Sequence, residues 1–146
     1  MSLRNFDAEK YLKEGAQSYG KRKEIEELVD KLSKTDYDNV VLLGIGGTWA
    51  EWYPVVEVAK YYSDLPIYLE NAGEFLVKKN KKYVSEKSLV FTSSASGNTK
   101  EIVKAVEMCK DLGIDVYGFT KDETTPLAKL LTDPIYNPCG DCEDSY

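Results

Sequence analysis

Apolar and polar positions change period several times along the chain, and each change marks an element. Between Arg22 and Leu32, Ile25, Leu28, Val29 and Leu32 recur at helical spacing, while Lys23, Glu24, Glu26, Glu27, Asp30 and Lys31 fill the other side. This is an amphipathic helix with a solvated face. Asp7 to Tyr19 reads as a weaker helix, with Asp7 as its cap behind Phe6, a modest stripe of Tyr11 and Leu12, and Gly15 and Gly20 against it. The period then changes. Asn39-Val40-Val41-Leu42-Leu43 is a continuous apolar run ending at Gly44, the pattern of a strand covered on both faces. A glycine loop, Gly44-Ile45-Gly46-Gly47-Thr48, leads into a helix to about Tyr62, with Pro54 expected in its first turn and Val55, Val58, Ala59 and Tyr62 as its buried stripe.

Four further strands are expected, over Pro66 to Glu70, Ser88 to Thr92, Asp115 to Thr120 and Ile135 to Tyr136. Between them, Asn71 to Phe75 and Lys78 to Lys82 read as a loop or short surface helix. A helix from near Thr99 carries Ile102, Val103, Val106 and Cys109 and stops at Gly113. Thr125-Pro126 is expected to open a short helix, a hydroxyl cap followed by proline. Strands alternating with helices predict an α/β fold: a three-layer αβα sandwich around a five-stranded parallel sheet. The division expected is a helical segment over 1–36, covering a sheet edge or packing on a second subunit, and one α/β domain over 37–146.

In parallel sheets ligands bind beyond the carboxyl ends of the strands. The glycine loop lies at one such end, and Ser93-Ser94-Ala95-Ser96-Gly97-Asn98-Thr99 lies at another. Four of those seven residues carry hydroxyls, where capping alone needs one. Gly97 has no Cβ, so the backbone there can approach an oxygen closely. Hydroxyls and unpaired N–H groups before a helix N-terminus form an uncharged cradle for an anion, most naturally a phosphate.

Charge sharpens this. The 146-residue chain has a net charge of −6, so a general nucleic-acid or anionic-membrane binder is not expected, and phosphate has to be held by local donors. No run approaches membrane-spanning length, no signal peptide is expected, and three cysteines fit an expected reducing, cytoplasmic setting. The chain has no histidine, so proton transfer near neutrality needs a shifted carboxylate, lysine or cysteine, or a group from elsewhere. Cys139 and Cys142 form a single Cys-x-x-Cys that lacks two further zinc ligands, and Cys109 reads as core packing. No metal and no cofactor are expected.

Gly44-Ile45-Gly46-Gly47-Thr48, followed about fifty residues on by Ser94-Ala95-Ser96-Gly97-Asn98-Thr99-Lys100-Glu101, resembles the sugar isomerase (SIS) domain family, whose fold is flavodoxin-like or Rossmann-like. Within it, the chain is most similar to fructosamine deglycases, through Tyr53-Pro54, Asn71-Ala72-Gly73-Glu74-Phe75, Glu86-Lys87-Ser88-Leu89-Val90 and Thr125-Pro126-Leu127-Ala128. The resemblance implies a phosphosugar or fructosamine 6-phosphate as ligand. It implies phosphate binding by Gly46, Gly47, Thr48, Ser94, Ser96, Gly97, Asn98 and Thr99, and sugar contacts from Ser93 and Glu51. Ala95 stands where some relatives carry glutamine or histidine.

Deglycases resemble two such domains in tandem, with the catalytic glutamate and histidine in the second. The resemblance therefore implies the first half of a longer, homodimeric protein, with the catalytic acid–base group outside this segment. Glu51, Glu70, Glu74 and Glu143 are the acids here that could reach the cleft, and Trp49 and Trp52 flank its first loop. Two other readings stay open: a non-catalytic phosphosugar sensor, and a flavodoxin-like site for flavin mononucleotide. A dinucleotide site is weakly indicated, because Trp49 falls where a third glycine belongs.

Overall fold

The computed structural model describes residues 7–78 and 81–137. Its elements are α1 (Ala8–Tyr19), α2 (Arg22–Leu32), β1 (Asn39–Gly44), α3 (Gly47–Tyr62), β2 (Ile67–Asn71), α4 (Ala72–Val77), β3 (Ser88–Ser94), α5 (Lys100–Asp111), β4 (Val116–Thr120) and β5 (Ile135–Tyr136). The five strands pair in parallel in the order β2-β1-β3-β4-β5, the predicted α/β sheet. From β1 the chain runs through α3 to β2 on one side, then returns through α4 to β3 on the other. The order therefore reverses between β1 and β3, where Leu43 lies opposite Thr92. A crevice opens at such a reversal, beyond the strand ends.

Side-chain alternation divides the core between the two faces. Val41, Leu43, Val90 and Val116 point to one face and pack with Phe75 of α4 and with Ile102, Val106 and Cys109 of α5. On the other face, Leu28 and Leu32 of α2 meet Phe91, Tyr117, Phe119 and Ile135. The second expected helix thus covers the sheet, using only part of its stripe, since Val29 stays 54% exposed. Asp7 caps α1 as its sequence suggests, accepting from the Lys10 amide, yet α1 buries none of its residues. Gly113 ends α5 in the left-handed region at φ 74. Burial pushes the Cys109 thiol up to about 11, the state of an inert core cysteine.

Three expectations need correction. The first concerns Pro54, which lies inside α3 rather than in its first turn. The helix starts at Gly47 because Gly46, at φ 57, turns the chain at once, and because Gly44 lets the helix seat directly on the strand end. A Cβ on Gly44 would stand 2.6 Å from the Trp49 Cα. The second concerns the buried stripe of α3: Val56 is buried and Trp52 and Ala59 half-buried, whereas Val55, Val58 and Tyr62 are exposed. This helix is apolar almost all round, so periodicity cannot choose a face. The third concerns Thr125-Pro126, which opens one turn and no helix. Thr125 Oγ1 still accepts from the Ala128 amide, but the chain must leave after Leu131 to reach β5.

A polar cluster closes the α4 side. The buried Glu70 carboxylate accepts from Lys78 Nζ at 2.7 and 3.0 Å and from the Tyr83 hydroxyl at 2.5 Å. Burial, then the bond to Glu70, pushes the Tyr83 phenol up to about 12. Tyr117 rises to about 12 as well, through burial and then the Asp115 carboxylate. Both folded phenols hold their protons above the unfolded value, so their stabilising contribution is complete below about pH 10 and lost as pH rises through about 12. Stability measured against pH is therefore expected to fall across that window. Tyr83→Phe and Tyr117→Phe should each flatten the fall and remove a late component of the tyrosinate absorbance titration. Unchanged curves in both variants would contradict this account.

Candidate functional site

A cavity of about 340 Å³ opens at the carboxyl ends of β3, β4 and β5, against α3. Thr48, Glu51, Trp52 and Val55 form the α3 wall, where they share one helix face by their spacing. The end of β3 and its loop supply Ser93, Ser94 and Ala95. Phe119 and Thr120 at the end of β4, and Asn137 just past β5, complete the lining. The fold thus brings together Thr48, Glu51, Ser93 and Ser94 of the residues singled out in the sequence. Gly46, Gly47, Ser96, Gly97, Asn98 and Thr99 are not part of this wall, although they form the loops that hold it.

The hydroxyl loop is built on internal hydrogen bonds. Ser94 Oγ accepts from the Gly97 amide at 3.1 Å and pairs with Thr99 Oγ1 at 3.1 Å. Ser96 Oγ, on an exposed residue, accepts from the Asn98 amide at 3.3 Å. The Ser94–Thr99 contact consumes one of two O–H donors, so the pair keeps one donor for a ligand. Thr48 Oγ1 closes the first loop in the same way, donating to the Ile45 carbonyl at 3.0 Å and accepting from the Ile45 amide at 3.1 Å. Gly97 sits at φ 65, packed against Thr120 and Thr125, with its carbonyl accepting from the Leu127 amide at 3.1 Å.

Two helices begin at these loops, and no side chain caps either of them. Gly46 precedes α3 and Thr99 precedes α5, each without a side-chain cap bond. Their first-turn N–H groups and the positive ends of both dipoles therefore lie at the carboxyl edge of β1 and β3, on the two sides of the reversal. Among the described residues Glu51 is the one ionisable side chain in the cavity wall, and Lys100, exposed, is the first residue of α5. The arrangement offers donors to an anion at the loops and an acceptor, Glu51, further along α3.

The other candidate acids lie elsewhere. Glu70 is held by Lys78 and Tyr83 on the far face, and Glu74 is exposed on α4. Glu143, Cys139 and Cys142 fall outside the described residues. Among the described residues no group of three or more histidine, cysteine, aspartate or glutamate side chains is placed to hold a metal, and no helix is long and apolar enough to cross a membrane. Trp49, one of the two tryptophans of the first loop, packs on Tyr53 with ring centroids 6.2 Å apart, while Trp52 enters the cavity wall.

Sequence reading missed Thr120, Phe119 and Asn137 as cavity residues. Their only signal was position: each stands at the carboxyl end of a parallel strand. No motif marks them, because they reach the cavity through strand pairing, Ser94 opposite Thr120 and Thr120 opposite Tyr136.

Comparison with known proteins gives one family. A family model described as the SIS domain matches residues 60–136. Fructosamine deglycase FrlB of Bacillus subtilis is 32% identical over 112 residues, which is 73% of this chain and 33% of that protein. The isomerizing glutamine–fructose-6-phosphate aminotransferase of Pyrococcus horikoshii is 25% identical over 126 residues, 84% of this chain and 20% of its own length. Among solved structures, a Bacillus subtilis protein described as a phosphosugar isomerase superposes with a TM-score of 0.73 at 30% identity, covering 82% of this chain and 36% of that one. An Escherichia coli CFT073 protein solved as a ligand complex matches the fold with a TM-score of 0.76 at 20% identity, over 90% of this chain and 69% of its own. The chain spans a third or less of the length of these curated relatives.

Proposed function

The chain belongs to the SIS domain family, and from that premise we propose that its cavity binds a phosphosugar, with the phosphate at the Thr48 and Ser94–Thr99 loops, as part of an isomerase or deglycase acting on a ketose-amine 6-phosphate. The observation that carries this reading is the pair of helix N-termini without side-chain caps, at the ends of adjacent strands and beside a cavity walled by Thr48, Ser93 and Ser94. Amide and hydroxyl donors suit an oxyanion better than any other group. Gly46, Gly47, Gly97 and Asn98 supply backbone to the loops, and Ser96 and Thr99 turn toward the phosphate as it enters. Ser93 and Glu51 then lie along the sugar.

Held by its phosphate, the open-chain sugar has its carbonyl carbon fixed relative to the cavity. In the proposed reaction a base takes the proton from the carbon next to the carbonyl, giving an enediol or enamine, and the proton returns to the neighbouring carbon. In a deglycase, hydrolysis then releases the amine. Fixing the substrate contributes several kcal/mol to such a step without any proton transfer by the loops. The acid–base group is assigned to a second domain or subunit, since the chain has no histidine and, among the described residues, Glu51 alone is titratable in the cavity wall.

An outward face of α3 supports a homodimer. Tyr53, Val58, Tyr61 and Tyr62 are 54%, 57%, 88% and 87% exposed, next to the cavity wall. A reducing, cytoplasmic setting agrees with the buried free thiol of Cys109.

Calorimetric titration with fructose 6-phosphate tests the binding. The wild-type chain should saturate, and Ser94→Ala should weaken affinity about tenfold or more, the loss expected for one hydrogen bond to a charged group. Equal affinity in the variant, or no binding by the folded wild-type chain, would refute the site. Turnover of fructoselysine 6-phosphate by the protein tests the enzyme; binding without turnover would point to a sensor.

A further inference from the structure

Resting on the phosphosugar reading above, we propose that Asn137 is a specificity-determining residue that donates to a hydroxyl of the sugar beyond the phosphate, and that Ser18 of α1 is its positioning residue. Asn137 extends the β4–β5 pairing by one step, because its amide donates to the Thr120 carbonyl at 2.9 Å. This fixes its Cα at the carboxyl edge of the sheet, and the residue lines the same cavity as Glu51 and Ser93. The side chain is oriented from far along the chain: Ser18 Oγ donates to Asn137 Oδ1 at 3.0 Å.

That bond decides which end of the amide faces the ligand. An asparagine carries one carbonyl acceptor and an NH₂ group with two donors. With Oδ1 held by Ser18, the NH₂ group is the part left for the cavity, and among the described residues no acceptor holds it. Without Ser18 the amide can flip or rotate freely, and its donors are no longer directed. Phe119 and Val55 in the same lining are apolar, and the Thr120 hydroxyl spends its proton on Thr125 Oγ1, which itself donates to the Asp122 carbonyl, so Asn137 is left as a polar donor in this part of the wall and Glu51 on α3 as an acceptor. One donor and one acceptor set apart from a phosphate cradle match the hydroxyls of a polyol chain, each of which both donates and accepts. The ligand class is thus a sugar phosphate with its hydroxylated carbons extended past the phosphate, and not phosphate alone.

The same geometry assigns a purpose to α1. This helix buries none of its residues, so packing does not explain why its last turn reaches Asn137. Ser18 is exposed, and truncating it removes no core contact.

The test compares two probes, fructose 6-phosphate and inorganic phosphate, by calorimetry on the full 146-residue chain. Asn137→Ala should weaken fructose 6-phosphate about fivefold to tenfold, as for one neutral hydrogen bond, and leave inorganic phosphate unchanged. Ser18→Ala should weaken fructose 6-phosphate by a smaller factor, also without effect on inorganic phosphate, and should add nothing to Asn137→Ala in the double variant. Equal loss for both probes would mean that Asn137 only supports the loops, and this overturns the proposal. So would additive losses, or unchanged binding in both single variants. Ser18→Ala keeps the test decisive if Asn137→Ala folds poorly. Failure of the phosphosugar reading itself looks different: the wild-type chain then gives no saturable signal with fructose 6-phosphate.

Discussion

Gly97→Ala is expected to lower stability by about 3 kcal/mol and to abolish measurable fructose 6-phosphate binding. Two independent costs add. At φ 65 any residue with a Cβ is strained by about 1–2 kcal/mol. The new Cβ would also stand 2.4 Å from Thr125 Cβ and 2.5 Å from Thr120 Oγ1, and both residues are buried. Overpacking of that kind costs about 1–3 kcal/mol. Relief requires the loop to lift from Thr120, which breaks the Gly97–Ser94 and Leu127–Gly97 hydrogen bonds and moves the Ser94 hydroxyl. Urea unfolding gives the stability, and calorimetry gives the binding. Ser94→Ala separates the two effects: it removes the Oγ bonds to the Gly97 amide and Thr99 but keeps the backbone bonds of Gly97 to the Ser94 carbonyl and of Leu127 to the Gly97 carbonyl, both 3.1 Å. A Gly97→Ala chain with wild-type midpoint and affinity would show that the loop is not wedged as described.

Phe75→Ala is expected to be the most destabilising single truncation in the core, at about 3–5 kcal/mol. Phe75 is fully buried in the core face shared with α4 and α5, and Lys81 Nζ lies 5.4 Å from its ring centroid. Nothing nearby can refill the space, since Leu43, Ile102 and Val106 are pinned by the sheet and by α5. For a chain of this size each kcal/mol shifts the melting temperature by about 2–4 °C, so a drop of about 6–20 °C should be seen. Tyr62→Ala, on a residue 87% exposed, is the control and should change the monomer's stability little. A small shift for Phe75→Ala would place the core elsewhere.

Much of this molecule is legible in its chain because the relevant interactions are local. Continuous apolar runs mark β1 and β3, since a strand covered on both faces has no polar side to show. Helix α5 announces itself by its stripe and by Gly113, and α1 by Asp7. The two candidate loops stand out because glycine and clustered hydroxyls have few other uses at strand ends. The errors arise where local pattern carries no direction. Val55, Val58 and Tyr62 of α3 repeat as well as Val56 and Ala59 do, so hydrophobicity alone cannot say which stripe meets the sheet. Pro54 suggests a helix start, but Gly46 had already turned the chain. Glu70 and Glu51 look alike in sequence; one is buried beside Lys78 and Tyr83, and the other faces the cavity.

By itself, then, the sequence determined the alternation of strands and helices, the parallel sheet and the two loops that suit a phosphate, because each depends on residues within a few positions of one another. Tertiary structure alone decided which side of α3 is covered, that Glu70 is held by Lys78 and Tyr83 while Glu51 lines the cavity, that Thr120 and Asn137 join the cavity wall, and that Ser18 reaches Asn137. Those outcomes depend on strand order and helix rotation, which bring Ser18 to Asn137 across 119 positions of chain, and no local preference encodes that distance.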